Sequence, residues 1–206
     1  MLQAEIWNDW EEHYENINVQ SGEICKDGII NNDKYEKSDP KILFVLKEVN
    51  KYGGGDLCHL LKNGPKYQMW HAVARWSAGI LNDFPPFSDI DNKESKYEAI
   101  HSIASINLKK TTGKASANKK RINAFAYRDR ELLLKQIELI SPDIIIAGGT
   151  FDILIWLLGL DIDPQNPEYK PVTDSKRDLK VVPWRHPARV NNKKTYRELK
   201  ELFRSA

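Results

Sequence analysis

Four short strand candidates, three of them mainly apolar runs and each followed by a polar or glycine-bearing turn, constrain this chain more than any other feature. Lys41-Ile42-Leu43-Phe44-Val45-Leu46 leads through Lys47-Glu48-Val49-Asn50-Lys51-Tyr52-Gly53-Gly54-Gly55-Asp56 into a helical pattern at 57–62, for which Asp56 is a suitable N-cap. Ser105-Ile106-Asn107-Leu108 precedes a basic segment and a helix over 127–140. Asp143 to Thr150 reads as strand and tight turn before an apolar helix from Phe151 to Leu160, and Val181-Val182-Pro183-Trp184 precedes an amphipathic helix from Thr195 to Arg204. Strands that are apolar along their whole length are buried on both faces, as in parallel sheets covered by helices. The expected fold class is therefore α/β, a three-layer α/β/α arrangement with a central, mostly parallel four-stranded sheet. Such sheets bind ligands beyond the C-terminal ends of their strands.

The remaining chain is expected to support that core as one domain, 1–206, with 1–40 packing against it. Ile6, Trp10, Tyr14 and Ile17 recur at helical spacing over 5–17, and the polar stretch 18–40 reads as a loop ending in Ser38-Asp39-Pro40. Helices are predicted over 66–82 and 93–104, separated by Phe84-Pro85-Pro86-Phe87, and 161–180 reads as a surface excursion rich in Pro, Asp and Asn. Trp7, Trp10, Trp70 and Trp76 read as packing residues.

Charge and cysteine usage exclude several classes. A net charge of +2 does not by itself imply nucleic acid, but the segment from Lys109 to Arg121 holds six basic residues and no acid. Cys25 and Cys58 form no CxxC pair, so an iron–sulfur or four-cysteine zinc site is not expected, and His59, His71 and His101 lack metal-ligand spacing. No metal or cofactor is expected. The first sixteen residues have neither the basic nor the apolar part of a signal peptide, and no apolar run reaches the roughly 20 residues of a membrane span. The expectation is a cytoplasmic monomer with no membrane partner.

Taken in order, the strand-end segments 46–56, 106–121, 146–150 and 183–189 resemble the uracil-DNA glycosylase superfamily, particularly its small bacterial and archaeal branches without iron–sulfur cysteines. Lys47-Glu48-Val49-Asn50-Lys51 stands where that superfamily has a Gly-Glu-Ala-Pro-Gly type motif, with Lys47 and Asn50 departing from it. Ile106-Asn107-Leu108-Lys109-Lys110 is similar to its second strand, which brings an Asn to the base and runs into a basic loop. Gln136 to Gly149 is similar to its helix-to-strand stretch, and His186-Pro187-Ala188 looks like its His-Pro-Ser/Ala motif. The resemblance spans residues 41 to 200 and implies a uracil-DNA glycosylase-like fold. It further implies a monofunctional DNA glycosylase that flips out a base and excises it, leaving an abasic site.

That chemistry requires an anionic group near C1′ and hydrogen-bond donors near the departing base. The resemblance gives Glu48 the first role, orienting water, with Asn50 as the alternative, and gives His186 the second. Asn107 would read a base edge, Tyr52 would stack on the flipped base, and Gly53 and Gly54 would line its pocket. Lys109, Lys110, Lys114, Lys119 and Arg189 would hold phosphates of the DNA partner. Each residue also has a structural role open to it: Glu48 as a loop acid beside Lys47, Asn50 as a turn former, Asn107 as a partner for backbone groups, and His186 as an ordinary loop residue.

Gly53-Gly54-Gly55 carries no side chain to exclude a C5 substituent. The base could then be uracil or a bulky C5-modified pyrimidine, such as glucosylated hydroxymethylcytosine of phage DNA, in repair or anti-phage defence. Alternatively the three glycines serve only a tight turn. Two other functions fit the pattern: a non-catalytic nucleic-acid-binding module of the same fold, and a nucleotide or nucleoside hydrolase. Lys47 adds the possibility of Schiff-base chemistry at C1′.

Overall fold

The computed structural model describes residues 2–19, 24–50, 54–113, 117–160, 162 and 170–205. In chain order the elements are α1 (Leu2–Asn16), β1 (Cys25–Lys26), β2 (Gly28–Ile29), α2 (Asn32–Glu36), β3 (Ile42–Asn50), β4 (Gly55–Asp56), α3 (Leu57–Leu61), α4 (Gln68–Leu81), α5 (Phe87–Ile90), α6 (Lys93–His101), β5 (Ile103–Gly113), α7 (Lys119–Arg128), α8 (Arg130–Ile140), β6 (Ile144–Gly148), α9 (Phe151–Leu158), β7 (Val172–Asp174), β8 (Leu179–Trp184) and α10 (Asn192–Arg204). The chain is mixed α/β around a mostly parallel central sheet.

That sheet has six strands rather than four, in the order β2-β5-β3-β6-β8-β7. The inner four are the expected strands and run parallel, whereas the edge strands β2 and β7 pair antiparallel to their neighbours. A separate parallel pair joins β1 to β4. Side chains alternate across a strand, so each inner strand feeds two hydrophobic clusters. Leu43, Val45, Ile106, Leu108, Ile145, Ala147 and Val181 pack with residues of α1, α7, α8 and α9. Ile42, Phe44, Leu46, Ile103, Ile144, Ile146 and Val182 pack with residues of α3, α4, α6 and α10. With helices against both sets of residues, β3 from Ile42 to Leu46 and β6 from Ile144 to Ala147 are apolar on both faces, whereas β5 carries Ser105, Asn107 and Lys109 at alternate positions.

Several boundaries differ from those predicted. The segment 18–40, read as a loop, contains β1, β2 and α2 among its described residues. The strand read at 105–108 extends to Gly113, so much of the basic segment is strand and not loop. The helix read at 127–140 is two helices meeting at Asp129, whose buried carboxylate accepts from the Tyr14 hydroxyl at 3.0 Å and pairs with His13 at 2.9 Å. That contact fastens α1 to the junction of α7 and α8. Asp56 caps α3 as expected, accepting from the backbone N–H groups of Cys58 and His59. Among the described residues no helix is long and apolar enough to cross a membrane.

Candidate active site

Parallel pairing aligns Val45 with Ala147, and Gly148 with Trp184, so the C-terminal ends of β3, β6 and β8 stand side by side. The turn after β6 is built for close approach. A Cβ at Gly148 would stand 2.5 Å from Leu46 Cδ2, and Gly149 has φ of +73°, a conformation that favours glycine. The Gly149 N–H donates to the carbonyls of Ala147 and Trp184 at 2.7 and 2.8 Å, and the Thr150 hydroxyl donates to the Val45 carbonyl at 2.8 Å. These bonds tie the turn to both neighbouring strands.

Over Gly149 two side chains converge. The Cε and Nζ atoms of Lys47 each lie 3.2 Å from the point a Gly149 Cβ would occupy, and His186 Cβ lies 3.6 Å from it. Burial first, and the Lys47 charge second, pull the His186 pKa from 6.5 down to about 4, so the ring is neutral near pH 7. Its Nδ1 accepts from the Ala188 backbone N–H at 3.2 Å, which places the proton of the neutral ring on Nε2. His186 is thereby a hydrogen-bond donor and not a cation.

Two cavities meet at this point. One of about 190 Å³ is lined by Lys47, Lys119, Asp152, Gly149 and Thr150 together with apolar residues such as Ile122 and Ile153. The other, about 720 Å³, runs from Gly149 along Phe151, Trp184 and Arg185 to Glu198 and Leu202 of α10. The larger lies within the size range of small-molecule sites, roughly 300–1,000 Å³.

Glu48 takes a different place from the one expected. Its Oε2 accepts from Lys109 Nζ at 2.9 Å, its side chain is only 7% exposed, and Lys109 is wholly buried while also donating to the carbonyls of Thr111 and Thr112. Gly113 makes room for the pair, since a Cβ there would fall 2.0 Å from the Glu48 carboxyl carbon. The residue of β3 brought against His186 is thus Lys47, not Glu48. Asn50 is exposed at the strand end, beyond a register shift opposite β5.

Asn107 and Lys110 belong to a second interior network, centred on a residue that the sequence did not single out. The Asp27 carboxylate accepts from the Asn107 backbone N–H at 2.7 Å, from Asn107 Nδ2 at 3.3 Å, from Lys110 Nζ at 2.8 Å and from Gln136 Nε2 at 3.1 Å. Burial lowers the Lys110 pKa, an effect that Asp27 opposes, and the ammonium also lies over the Trp7 and Trp10 rings. Asn107, Lys109 and Lys110 are thus interior residues whose described polar contacts are to Asp27, Glu48 and backbone carbonyls, a different setting from the solvent-facing one expected for contacts to DNA.

Of the other expected contacts, Lys119 is exposed and pairs with exposed Asp152 at 2.9 Å, and Arg189 is exposed with φ of +60°. Gly54 lies just before β4, where Gly55 pairs with Cys25. Tyr52, Gly53 and Lys114 lie outside the described residues. No protein-family model matches the chain, and no curated protein is similar to it in sequence.

Proposed function

We propose that this protein is a DNA glycosylase with the three-layer arrangement of the uracil-DNA glycosylase type, hydrolysing an N-glycosidic bond to leave an abasic site. The observation that carries this reading is the convergence of Lys47 and neutral His186 over Gly149 at the ends of three parallel strands. As the bond breaks, negative charge grows on the departing base, and fixed donors aimed at it lower the barrier. His186 supplies Nε2–H and Lys47 supplies a positive charge with no carboxylate partner among the described residues. The exposed amide of Asn50 is available to orient the attacking water, while Glu48 fixes the strand end through Lys109.

The partner reading rests on α7. Lys119, Lys120 and Arg121 occupy its first turn, where no acid stands and where cations oppose the helix dipole. An exposed cluster placed against the dipole is suited to polyanionic phosphate. The substrate is uracil or a C5-substituted pyrimidine, and the 720 Å³ cavity beside Gly149 supports the larger class. The interior pairing of Glu48 with Lys109 favours a second reading, a nucleic-acid-binding module without chemistry.

Oligonucleotides carrying uracil, hypoxanthine or glucosylated hydroxymethylcytosine, incubated with the protein and then treated with alkali, separate these readings. Glycosylase action gives strand breaks at one of these bases, reduced on the order of a hundredfold in His186→Ala. Binding without breaks at any of them leaves the module reading, and release from free nucleotides alone would identify a nucleotide hydrolase.

A further inference from the structure

We propose that Lys47 gives this site a second activity, cleavage of DNA at abasic sugars through a covalent imine; the base-excision reading is needed only to explain where the abasic sugar comes from. Three other described lysines near this end of the sheet pair with carboxylates. Lys109 pairs with Glu48, Lys110 with Asp27 and Lys119 with Asp152, each within 2.9 Å. Lys47 makes no ion pair with a carboxylate among the described residues; it is half-buried and shares its cavity wall with apolar Ile122 and Ile153 and with Asp152, whose carboxylate pairs with Lys119. The neutral form of a lysine amine is a nucleophile toward an aldehyde carbon. Gly149 carries no side chain against the Lys47 Nζ, where a Cβ would stand 3.2 Å away, and His186 Cβ lies 3.6 Å from the same point.

The reaction balances without a further reagent. Neutral Lys47 attacks the C1′ carbonyl carbon of the open abasic sugar, the N–C1′ bond forms, and the carbonyl oxygen leaves as water. The resulting iminium acidifies C2′, whose proton passes to solvent as the C3′–O bond breaks and releases the downstream strand with a 5′-phosphate. Water then hydrolyses the imine and returns the amine.

A labelled oligonucleotide with one preformed abasic aldehyde tests this with borohydride present, so no base has to be excised. A covalent adduct is expected with the wild type, mapping to Lys47 by peptide mass spectrometry. No adduct is expected with a tetrahydrofuran analogue, which lacks the aldehyde. Lys47→Arg keeps the charge and should lower trapping on the order of a hundredfold at unchanged melting temperature, whereas Lys93→Arg, at an exposed position of α6, should trap normally. Absence of the adduct, or an adduct mapping to another lysine, overturns the proposal. Base release without trapping would leave the glycosylase reading standing alone, and trapping without base release would leave the lyase standing alone.

Discussion

Lys110 Nζ donates to Asp27 Oδ1 at 2.8 Å with both side chains wholly buried, at the edge of the sheet where β2 gives way to β1. Removing one member of such a pair strands the other charge in the interior. Lys110→Met is therefore expected to destabilise the fold by about 3 kcal/mol, and Asp27→Asn combined with Lys110→Met to recover most of that loss. Urea unfolding of the three proteins measures both effects. A Lys110→Met protein as stable as the wild type would show that the pair contributes nothing.

The same pair shows why part of the site was not legible in the sequence. Thirteen residues without an acid read as a solvated basic loop, because the neutralising carboxylates are distant: Glu48 is 61 positions from Lys109, and Asp27 is 83 positions from Lys110. Adjacent strand residues point to opposite faces, so the two lysines find different partners. β3 and β6 were legible because their runs Ile42–Leu46 and Ile144–Ala147 are apolar on both faces, whereas β5 shows only a short apolar signal around Ile106 and Leu108. The edge strands Gly28–Ile29 and Val172–Asp174 have two and three residues, too few for any period to register. The convergence at His186 was half legible: the strand ends followed from the order of segments, but which of Lys47 and Glu48 faces it depends on the pleat.

Glu48→Gln illustrates the consequence for experiment. The change removes the counter-charge of a buried ammonium, leaving Lys109 the carbonyls of Thr111 and Thr112 and a neutral amide. A loss of about 2 kcal/mol is expected. Base release assayed well below the melting temperature should fall far less than in His186→Ala. A loss of activity equal to that of His186→Ala, in a protein that remains folded, would return Glu48 to the centre of the chemistry.

Gly149 and Gly159 allow backbone strain to be separated from crowding. Their φ angles are similar, +73° and +65°, but a Cβ at Gly159 meets nothing within 4 Å, whereas one at Gly149 meets Lys47 at 3.2 Å. Gly159→Ala should cost about 1–2 kcal/mol and leave activity unchanged. Gly149→Ala should incur a similar strain and, by displacing Lys47, reduce base release on the order of tenfold. Equal activity in the two variants would show that the position of Lys47 over Gly149 is immaterial to the reaction.

The protonation of His186 gives a pH signature of its own. Burial and Lys47 hold its folded-state pKa at about 4, below the 6.5 of an unperturbed ring. A depressed histidine pKa means that the unfolded chain binds the proton more readily. The contribution of this residue to stability is thus fully present above about pH 6.5 and is lost as pH falls toward 4. His186→Gln should flatten the stability profile across that window. Proton NMR of the ring should give a midpoint near 4 in the wild type and a higher one in Lys47→Met, which removes the charge but retains the burial. If the neutral ring donates through Nε2–H, base release should not decline through pH 6.5 on account of this residue, and its acid limb should follow the lower midpoint. A wild-type midpoint near 6.5 would mean that His186 is hydrated and apart from Lys47, and the donor role would then fail.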